Sequence, residues 1–350
     1  MDFLNFFKDK TIIVIGGTGS IGSEIVTQLL KYSPKTIRIL SNSENEIWET
    51  KQRFKEDYET LRFLLGDIMN FERMKRAIAG ADYVFNAAAI KHVPIGEYNP
   101  METVNVNIHG LQNVLEASIF NKVKNLVHIS TDKAVNPTTV MGATKMLGER
   151  ICISRALAYG SHTTIISCVR FGNVLGSRGS IIPLIKTQIK RGNEVTLTDD
   201  KMQRFFLTIS QAVKLVLKAT VMAKGAEIYV LKMPTIVIKD LIEVIIEDYC
   251  PKIGKKPSDI KFNIIGPRFG EKLDEELISS IEFDSCFETK DMYVIYPVTY
   301  FEYNIRIGKY YNDQKKVEVD KSFQYSTKVG KPLSKEEIRD LIKEFTSNVI

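Results

Sequence analysis

The chain has 350 residues, 44% hydrophobic and 26% charged, with a formal net charge of +6. This is the composition of a folded globular protein, long enough for one two-lobed unit or two domains, and not that of a disordered or fibrous chain. The basic residues are scattered rather than run together, so no nucleic-acid partner is expected, while a modest positive balance suits an anionic small substrate.

Cys152, Cys168, Cys250 and Cys286 lie far apart with no C-x-x-C spacing and read as thiols of a reducing compartment. The histidines are scattered and form no H-E-x-x-H, so no metal site is expected. No apolar stretch approaches a membrane span. The opening Met1 to Lys10 is only briefly apolar and carries Asp2, so it reads as a short helix rather than a signal peptide. A cytoplasmic protein follows from these readings.

The first strand is Thr11-Ile12-Ile13-Val14-Ile15, a β-branched run of the kind found in buried parallel sheets. It ends in Gly16-Gly17-Thr18-Gly19-Ser20-Ile21-Gly22, and Ser23 to Tyr32 reads as a helix. Gly16, Gly19 and Gly22 have the G-x-x-G-x-x-G spacing between a strand and a helix. That context lets backbone approach a pyrophosphate at a helix N-terminus. A second strand, Thr36 to Leu40, ends at Ser41-Asn42-Ser43-Glu44. An acidic residue at the strand end would bind a ribose 2′-hydroxyl and select NAD. Ser41, Asn42 and Ser43 stand there instead, with Glu44 reading as the start of the next helix. NADP is therefore the expected dinucleotide, with NAD the alternative. Asp67 and Ile68 follow the third strand, where the aspartate either meets an adenine amino group or caps the next helix. Tyr83-Val84-Phe85 is the fourth strand, and the small residues Ala87 and Ala88 after it let backbone line the cofactor. Strands alternating with helices in this way predict a doubly wound parallel sheet.

Asn125 to Ile129 is a further strand, closed by Ser130-Thr131-Asp132-Lys133. The adjacent Asp132 and Lys133 place an acid beside a base, which suits proton transfer; the competing reading is a capping aspartate and a solvated lysine. Met141 and Lys145 follow, four apart and so on one helix face. Arg170 to Val174 reads as a strand, Gly176 to Ser180 as a loop and Ile181 to Lys190 as a helix. In the tail, Tyr293, Tyr296, Tyr300, Tyr303, Tyr310 and Tyr311 cluster. Ser334-Lys335-Glu336-Glu337 is a capping-box start, followed by helical apolar spacing at Ile338, Leu341, Ile342 and Phe345.

Several longer segments carry a resemblance: Ala88-Ala89-Ile90-Lys91-His92-Val93-Pro94, Ser130-Thr131-Asp132-Lys133-Ala134, Met141-Gly142-Ala143-Thr144-Lys145, Arg170-Phe171-Gly172-Asn173-Val174 through Ser177-Arg178-Gly179-Ser180, and Gly266-Pro267-Arg268-Phe269-Gly270-Glu271-Lys272. Over nearly its whole length the chain resembles an extended short-chain dehydrogenase/reductase acting on nucleotide sugars. More narrowly, it resembles the configuration-inverting UDP-N-acetylglucosamine 4,6-dehydratases of the CapE/CapD polysaccharide-biosynthesis group. In short-chain dehydrogenases the position of Met141 carries a proton-exchanging tyrosine, and a thioether has no proton to exchange. Methionine at this slot is itself a feature of CapE-like members. Tyr311-Asn312-Asp313-Gln314-Lys315 also spells Tyr-x-x-x-Lys, but it lies far beyond the expected strand and is read as chance.

The resemblance implies oxidation at the sugar C4, loss of water across C5–C6 and hydride return to C6. Thr131, Asp132, Lys133 and Lys145 would be the catalytic residues. Thr131 would bond the C4 hydroxyl, Lys133 would take the C5 proton, and Lys145 would bind the nicotinamide ribose. The dinucleotide would lie on Gly16, Thr18, Gly19, Ser20, Ile21, Gly22, Ser41, Asn42, Asp67, Ile68, Ala87, Ala88, Lys91 and Lys145. Lys91, Met141, Asn173, Arg178, Arg204, Arg268 and Glu271 would face the UDP-sugar, with Met141 packing beside it. Arg268 offers a planar fork that suits a diphosphate. A homo-oligomer, hexamer or dimer, is implied as well.

The expected architecture is α/β, a Rossmann-type doubly wound parallel sheet with a smaller C-terminal substrate-binding lobe. The dinucleotide domain would take residues 1–172 plus about 205–235, and the lobe about 173–204 and 236–283. A C-terminal extension, latch and terminal helix, would take about 284–350. A UDP-sugar 4-epimerase and a non-catalytic nucleotide-sugar or cofactor-binding regulator are the competing readings.

Overall fold

Runs of β-branched residues with no polar interruption build the centre of the molecule, because only a strand covered on both faces can bury them all. In the computed structural model, which describes residues 2–158, 164–177, 179–268, 270–296 and 324–347, β1 is Thr11–Ile15, β2 Thr36–Ser41, β3 Leu61–Leu65, β4 Tyr83–Asn86, β5 Asn125–Ile129 and β6 Ile165–Arg170. All six are parallel, in the spatial order β6-β5-β4-β1-β2-β3. Ile228–Leu231 continues the sheet beyond β6 in parallel. Met292–Ile295 and then Cys286–Glu288 close it antiparallel, giving a nine-stranded sheet. The chain therefore winds outward from β1 to β3, then returns to β4 on β1's other side. This reversal opens a crevice at the strand C-termini, where open α/β sheets bind ligands.

Register aligns those C-termini. Ile15 lies opposite Asn86, Asn86 opposite His128, and Ile129 opposite Val169. The residues that follow, Gly16, Ala87 and Ser130-Thr131, consequently emerge along one edge.

A second apolar core belongs to the lobe. Ile182, Ile185 and Ile189 of helix Ile181–Arg191 pack there with Leu241, Ile242 and Ile245 of helix Ile238–Tyr249. Ile338 of helix Lys335–Ser347 fills the same core. The capping box expected at Ser334 is formed: Ser334 Oγ accepts from the Glu337 N–H at 3.3 Å, and Glu337 Oε2 accepts from the Ser334 N–H at 2.8 Å.

Three expectations change. The strand expected over 170–174 is two strands: Arg170 ends β6, and Asn173–Leu175 joins Gln203–Thr208 in a different sheet. The break is at Gly172, where a Cβ would lie 2.7 Å from Phe205 Cβ, so the missing side chain lets the chain change sheets. Residues 286–295, placed from sequence in the C-terminal extension, join the central sheet instead, because Met292, Val294 and Ile295 bury against Ile228–Leu231. The helix after the glycine loop starts earlier than read, at Ser20, directly after the Gly19 N-cap. Arg178, Phe269, Tyr300, Tyr303, Tyr310 and the Tyr311–Lys315 sequence lie outside the described residues. Among the described residues no helix is long and apolar enough to cross a membrane.

Candidate active site

The glycine loop fits a dinucleotide because it has no room for side chains. Gly16 holds φ +73°, and a Cβ there would stand 2.7 Å from the Ala88 nitrogen. A Cβ on Gly22 would stand 2.2 Å from the Gly16 carbonyl oxygen. The loop therefore lies against both the Ala87-Ala88 backbone and the first turn of helix Ser20–Leu30. That turn presents the helix N-terminus and its positive dipole at the crevice. On the β2 side, Thr18 Oγ1 stands 2.6 Å from Glu46 Oε2 and 3.0 Å from Ser41 Oγ. Asn42 is exposed beside them. Asp67 does not cap a helix, since Asn70 caps Phe71–Ile78; Asp67 Oδ1 accepts from the Met69 N–H at 2.8 Å in a local turn. Ile68 is buried against Gly110, and its carbonyl accepts from Asn113 at 3.1 Å.

Behind β4, the loop that carries Lys91 is pinned by Asn107, a residue the sequence reading passed over. Asn107 Oδ1 accepts from the Ile90 N–H at 2.8 Å, and its Nδ2 donates to the Ile90 carbonyl and to Thr144 Oγ1, each at 3.0 Å. Its side chain is aimed by a π-helical turn, Asn105–Gly110, and π-turns concentrate at functional sites. One amide thus fastens the crevice loop to the helix that bears Met141 and Lys145. Lys91 itself is exposed on that loop.

Helix Val140–Ala158 starts at Glu97, whose Oε1 accepts from the Val140 N–H at 2.6 Å and places a carboxylate at the positive helix end. Met141 is 3% exposed and packs toward Gly96. Lys145 sits one turn on and donates from Nζ to the Ile129 carbonyl, the last of β5, at 2.8 Å. Burial pushes its pKa down to about 8. Met141 and Lys145 therefore share the face expected of them, over the end of β5.

Past that strand end lies a charge cluster in which Asp132 and Glu275 are buried and Lys133 is half-buried. Thr131 Oγ1 donates to Asp132 Oδ1 at 2.6 Å. Lys133 Nζ stands 3.1 and 3.2 Å from the two Asp132 oxygens and 3.6 Å from Glu275 Oε1. Burial disfavours charge on Lys133, yet the carboxylates of Asp132 and Glu275 outweigh it and raise its pKa. Glu275 is 3% exposed, and its Oε2 has no hydrogen-bond partner among the described residues. Burial, and then the charge of Asp132, pushes the Glu275 carboxyl upward, against the pull of Lys133, Arg204 and Lys272. The acid–base pair read from sequence is therefore an acid–base–acid arrangement.

Arg204 holds the third member in place. Its guanidinium donates to the carbonyls of Leu273 at 2.9 Å and Lys272 at 2.8 Å, and lies 3.7 Å from Glu275 and 3.6 Å from Glu271. The implied substrate-facing Arg204 is thus buried and engaged with the 271–275 segment. Arg268 is exposed, with its N–H donating to Glu271 Oε2 at 3.1 Å. Asn173 is half-buried at the start of its strand. Glu275 is clamped from behind by Thr327: the Glu275 N–H donates to Thr327 Oγ1 at 3.0 Å, and the Thr327 N–H to the Glu275 carbonyl at 2.9 Å. Arg170, bridged to Glu149 at 2.6 Å and Glu282 at 2.9 Å, ties the end of β6 to the same C-terminal region. Glu149 also accepts from Ser130 Oγ at 2.6 Å, next to Thr131.

Residues 12–297 match the family model described as polysaccharide biosynthesis protein. The chain belongs to that family. It is 51% identical over 345 residues to a protein of Methanocaldococcus jannaschii named as an uncharacterized membrane protein, covering 99% of this chain and 98% of that one. A UDP-N-acetylglucosamine 4,6-dehydratase (inverting) of Campylobacter jejuni is 39% identical over 293 residues, covering 83% and 84%. A protein of Rickettsia rickettsii named UDP-glucose 4-epimerase is 38% identical over 341 residues, covering 96% of each chain. The X-ray structure of Pen from Bacillus thuringiensis superposes with a TM-score of 0.88 at 41% identity, covering 97% of this chain and 98% of that one. The chain is thus an enzyme of the nucleotide-sugar 4,6-dehydratase and 4-epimerase group of the extended short-chain dehydrogenases.

Proposed function

We propose that the protein is a UDP-N-acetylglucosamine 4,6-dehydratase that inverts C5, serving surface polysaccharide or glycan synthesis. The observation that carries the reading is the Thr131–Asp132–Lys133–Glu275 chain, with Asp132 and Glu275 buried, beside Met141, where a tyrosine would otherwise exchange the proton. The glycine cradle, Ala87-Ala88 and Lys145 would hold a nicotinamide dinucleotide, which supplies the hydride acceptor at C4 and the donor at C6.

Each residue then has a distinct proton task. Thr131 passes the C4 hydroxyl proton to Asp132 along its 2.6 Å hydrogen bond. Protonated Asp132 no longer holds Lys133 as an ammonium, so burial favours the neutral amine. Glu275, 3.6 Å away with a raised pKa, receives the lysine proton. The Lys133 amine removes the C5 proton, which the new C4 ketone has acidified. Asp132 returns its proton to the C6 hydroxyl, and water leaves. Solvent reprotonates C5 from the opposite face, which inverts it, and Glu275 releases its proton to solvent, so the cluster returns to its starting charges. Met141 shields the relay and takes no proton. Arg204 acts as a positioning residue through Glu275, while Arg268, Glu271, Asn173, Lys91 and Arg178 are assigned to the UDP moiety and sugar.

The relative named as a 4-epimerase keeps a second reading in view. An epimerase needs proton transfer at C4 alone and has no use for a second buried carboxylate across from Lys133. Incubation with UDP-N-acetylglucosamine in deuterated water, followed by NMR, separates them. A 6-deoxy-4-keto product with deuterium at C5 supports dehydration, and a C4 epimer with intact C6 hydroxyl supports the alternative. No turnover and no binding of either sugar nucleotide would support a regulator.

A further inference from the structure

Arg170 ends β6 with its side chain buried and all five of its N–H groups occupied. Nε and Nη2 donate to the two oxygens of Glu149 at 3.0 and 2.6 Å. Nη1 and Nη2 donate to the two oxygens of Glu282 at 3.0 and 2.9 Å, and Nη1 also donates to the Leu277 carbonyl at 2.8 Å. Glu282 belongs to the short helix Ser280–Ser285, where it accepts from the Ser279 N–H at 2.8 Å and from Ser279 Oγ at 2.9 Å. Burial pushes the Glu282 carboxyl up, but Arg170 outweighs burial and holds it below the usual carboxylate range. One guanidinium thus sits between two carboxylates, which leaves a net negative charge in the interior. Buried charge of one sign is costly without a partner.

Lys145 supplies the balancing charge. It lies one turn before Glu149 on helix Val140–Ala158, and the two side chains meet adjacent residues of one strand end. Lys145 Nζ donates to the Ile129 carbonyl at 2.8 Å, and Glu149 Oε1 accepts from Ser130 Oγ at 2.6 Å. Lys145, Glu149, Arg170 and Glu282 are all buried, two cations with two carboxylates. The other groups around Lys145 bring no competing charge. His128 of β5 is kept neutral by burial and then by Lys145 itself. The Cys168 thiol of β6 is kept protonated by its hydrogen bond with Cys152 and by burial. Glu97 holds the Val140 N–H at the helix start, Glu116 pairs with Arg155 at 2.7 Å, and Asp132 pairs with Lys133 at 3.1 Å. Glu102 and His109 are exposed. Burial drives Lys145 toward the neutral amine, and with Cys168 a neutral thiol, Glu149 is the carboxylate that opposes it. Glu282 matters at one remove, because it offsets Arg170, which would otherwise cancel the field of Glu149.

We propose that Glu149 is a positioning residue that keeps Lys145 an ammonium at neutral pH, with Glu282 supporting it through Arg170. The inference rests on the reading of Lys145 and the glycine cradle as a dinucleotide site. The test is the pH dependence of dinucleotide affinity. NADH and NADPH are titrated by fluorescence into purified protein stripped of copurified nucleotide, from about pH 6 to about pH 10. Wild-type affinity should fall above about pH 8, where the ammonium is lost. In Glu149→Gln the fall should come about one pH unit lower, which leaves affinity at the wild-type midpoint about fivefold weaker. Glu282→Gln should move the fall the same way by less. Arg170→Met combined with Glu282→Gln removes one charge of each sign and leaves Glu149 facing Lys145, so the fall should stay at the wild-type pH or move above it. A merely structural role predicts instead that this double variant is the most impaired. Circular dichroism checks folding; if Glu149→Gln does not fold, Glu282→Gln and the double variant carry the test. A fall at the wild-type pH in every folded single variant, or a downward move in the double variant, overturns the proposal while the cradle stands. Wild-type affinity that is flat over the whole range overturns it too, together with the charged role of Lys145. Failure of both nucleotides to bind overturns the cradle and the proposal together.

Discussion

The two halves of the crevice are built in opposite ways. The dinucleotide half is assembled from neighbours in sequence: β1, the Gly16–Gly22 loop and the first turn of helix Ser20–Leu30 form one continuous segment. The proton-transfer half is assembled from pieces far apart in the chain: Thr131 to Lys133 after β5, Arg204, the 271–275 loop and Thr327. The first half depends on absent side chains and exposed backbone. The second depends on buried charges that hold one another, so removal of any one leaves another uncompensated.

This contrast predicts different failures. In the dinucleotide half, Gly22→Ala puts a Cβ 2.2 Å from the Gly16 oxygen, a backbone atom that cannot step aside. Dinucleotide binding should be lost altogether, with a stability cost of about 1–3 kcal/mol from overpacking, measured by calorimetry and thermal unfolding. Undiminished binding would remove the cradle from the account. In the proton-transfer half, Lys133→Met should bind sugar nucleotide and dinucleotide yet lose roughly 10²–10⁴ in kcat. Exchange of the C5 proton with solvent should fall in step with water loss. Exchange at the wild-type rate would show that another group is the base.

Glu275→Gln should cost less, roughly tenfold to a hundredfold, since it only receives the lysine proton. The raised pKa of Glu275 gives the sign of the accompanying pH effect. The carboxylate must be unprotonated to accept, so wild-type kcat should fall as pH drops through that raised value, and the glutamine variant should lack this acidic limb. Lys145 predicts a limb on the other side. Its pKa near 8 means that the ammonium is lost above that pH, and nucleotide affinity should weaken there in the wild type but not in Lys145→Met. The smallest effect belongs to Met141→Leu. A buried thioether that only packs should tolerate a change of similar volume at a cost below about 1.5 kcal/mol, with kcat nearly unchanged. A collapse of kcat in that variant would give Met141 a chemical role.

What could be read from sequence follows the same divide. β1, the glycine loop, β5 and the Met141–Lys145 helix face were legible because their signals are local: β-branched runs, glycine spacing and helical periodicity. Asp132 and Lys133 were singled out through the family resemblance, with which their adjacency agrees. Glu275 was not, since nothing in the 271–275 segment marks one glutamate as buried, and only the fold sets it 3.6 Å from Lys133. Asn107 was hidden for a related reason, because its role depends on a π-turn that no spacing rule announces. Arg204 was named through the family resemblance as a substrate-facing residue; what only the fold shows is that its guanidinium engages backbone carbonyls and carboxylates of the 271–275 segment.

The claim that these halves perform one reaction, C4 oxidation coupled to loss of the C6 hydroxyl, is tested most directly by following one atom. Incubation with UDP-N-acetylglucosamine deuterated at C4, read by NMR of the product, should show the deuterium transferred to the C6 methyl group, with the C6 hydroxyl gone. Deuterium still at C4 with the C6 hydroxyl intact would contradict the account.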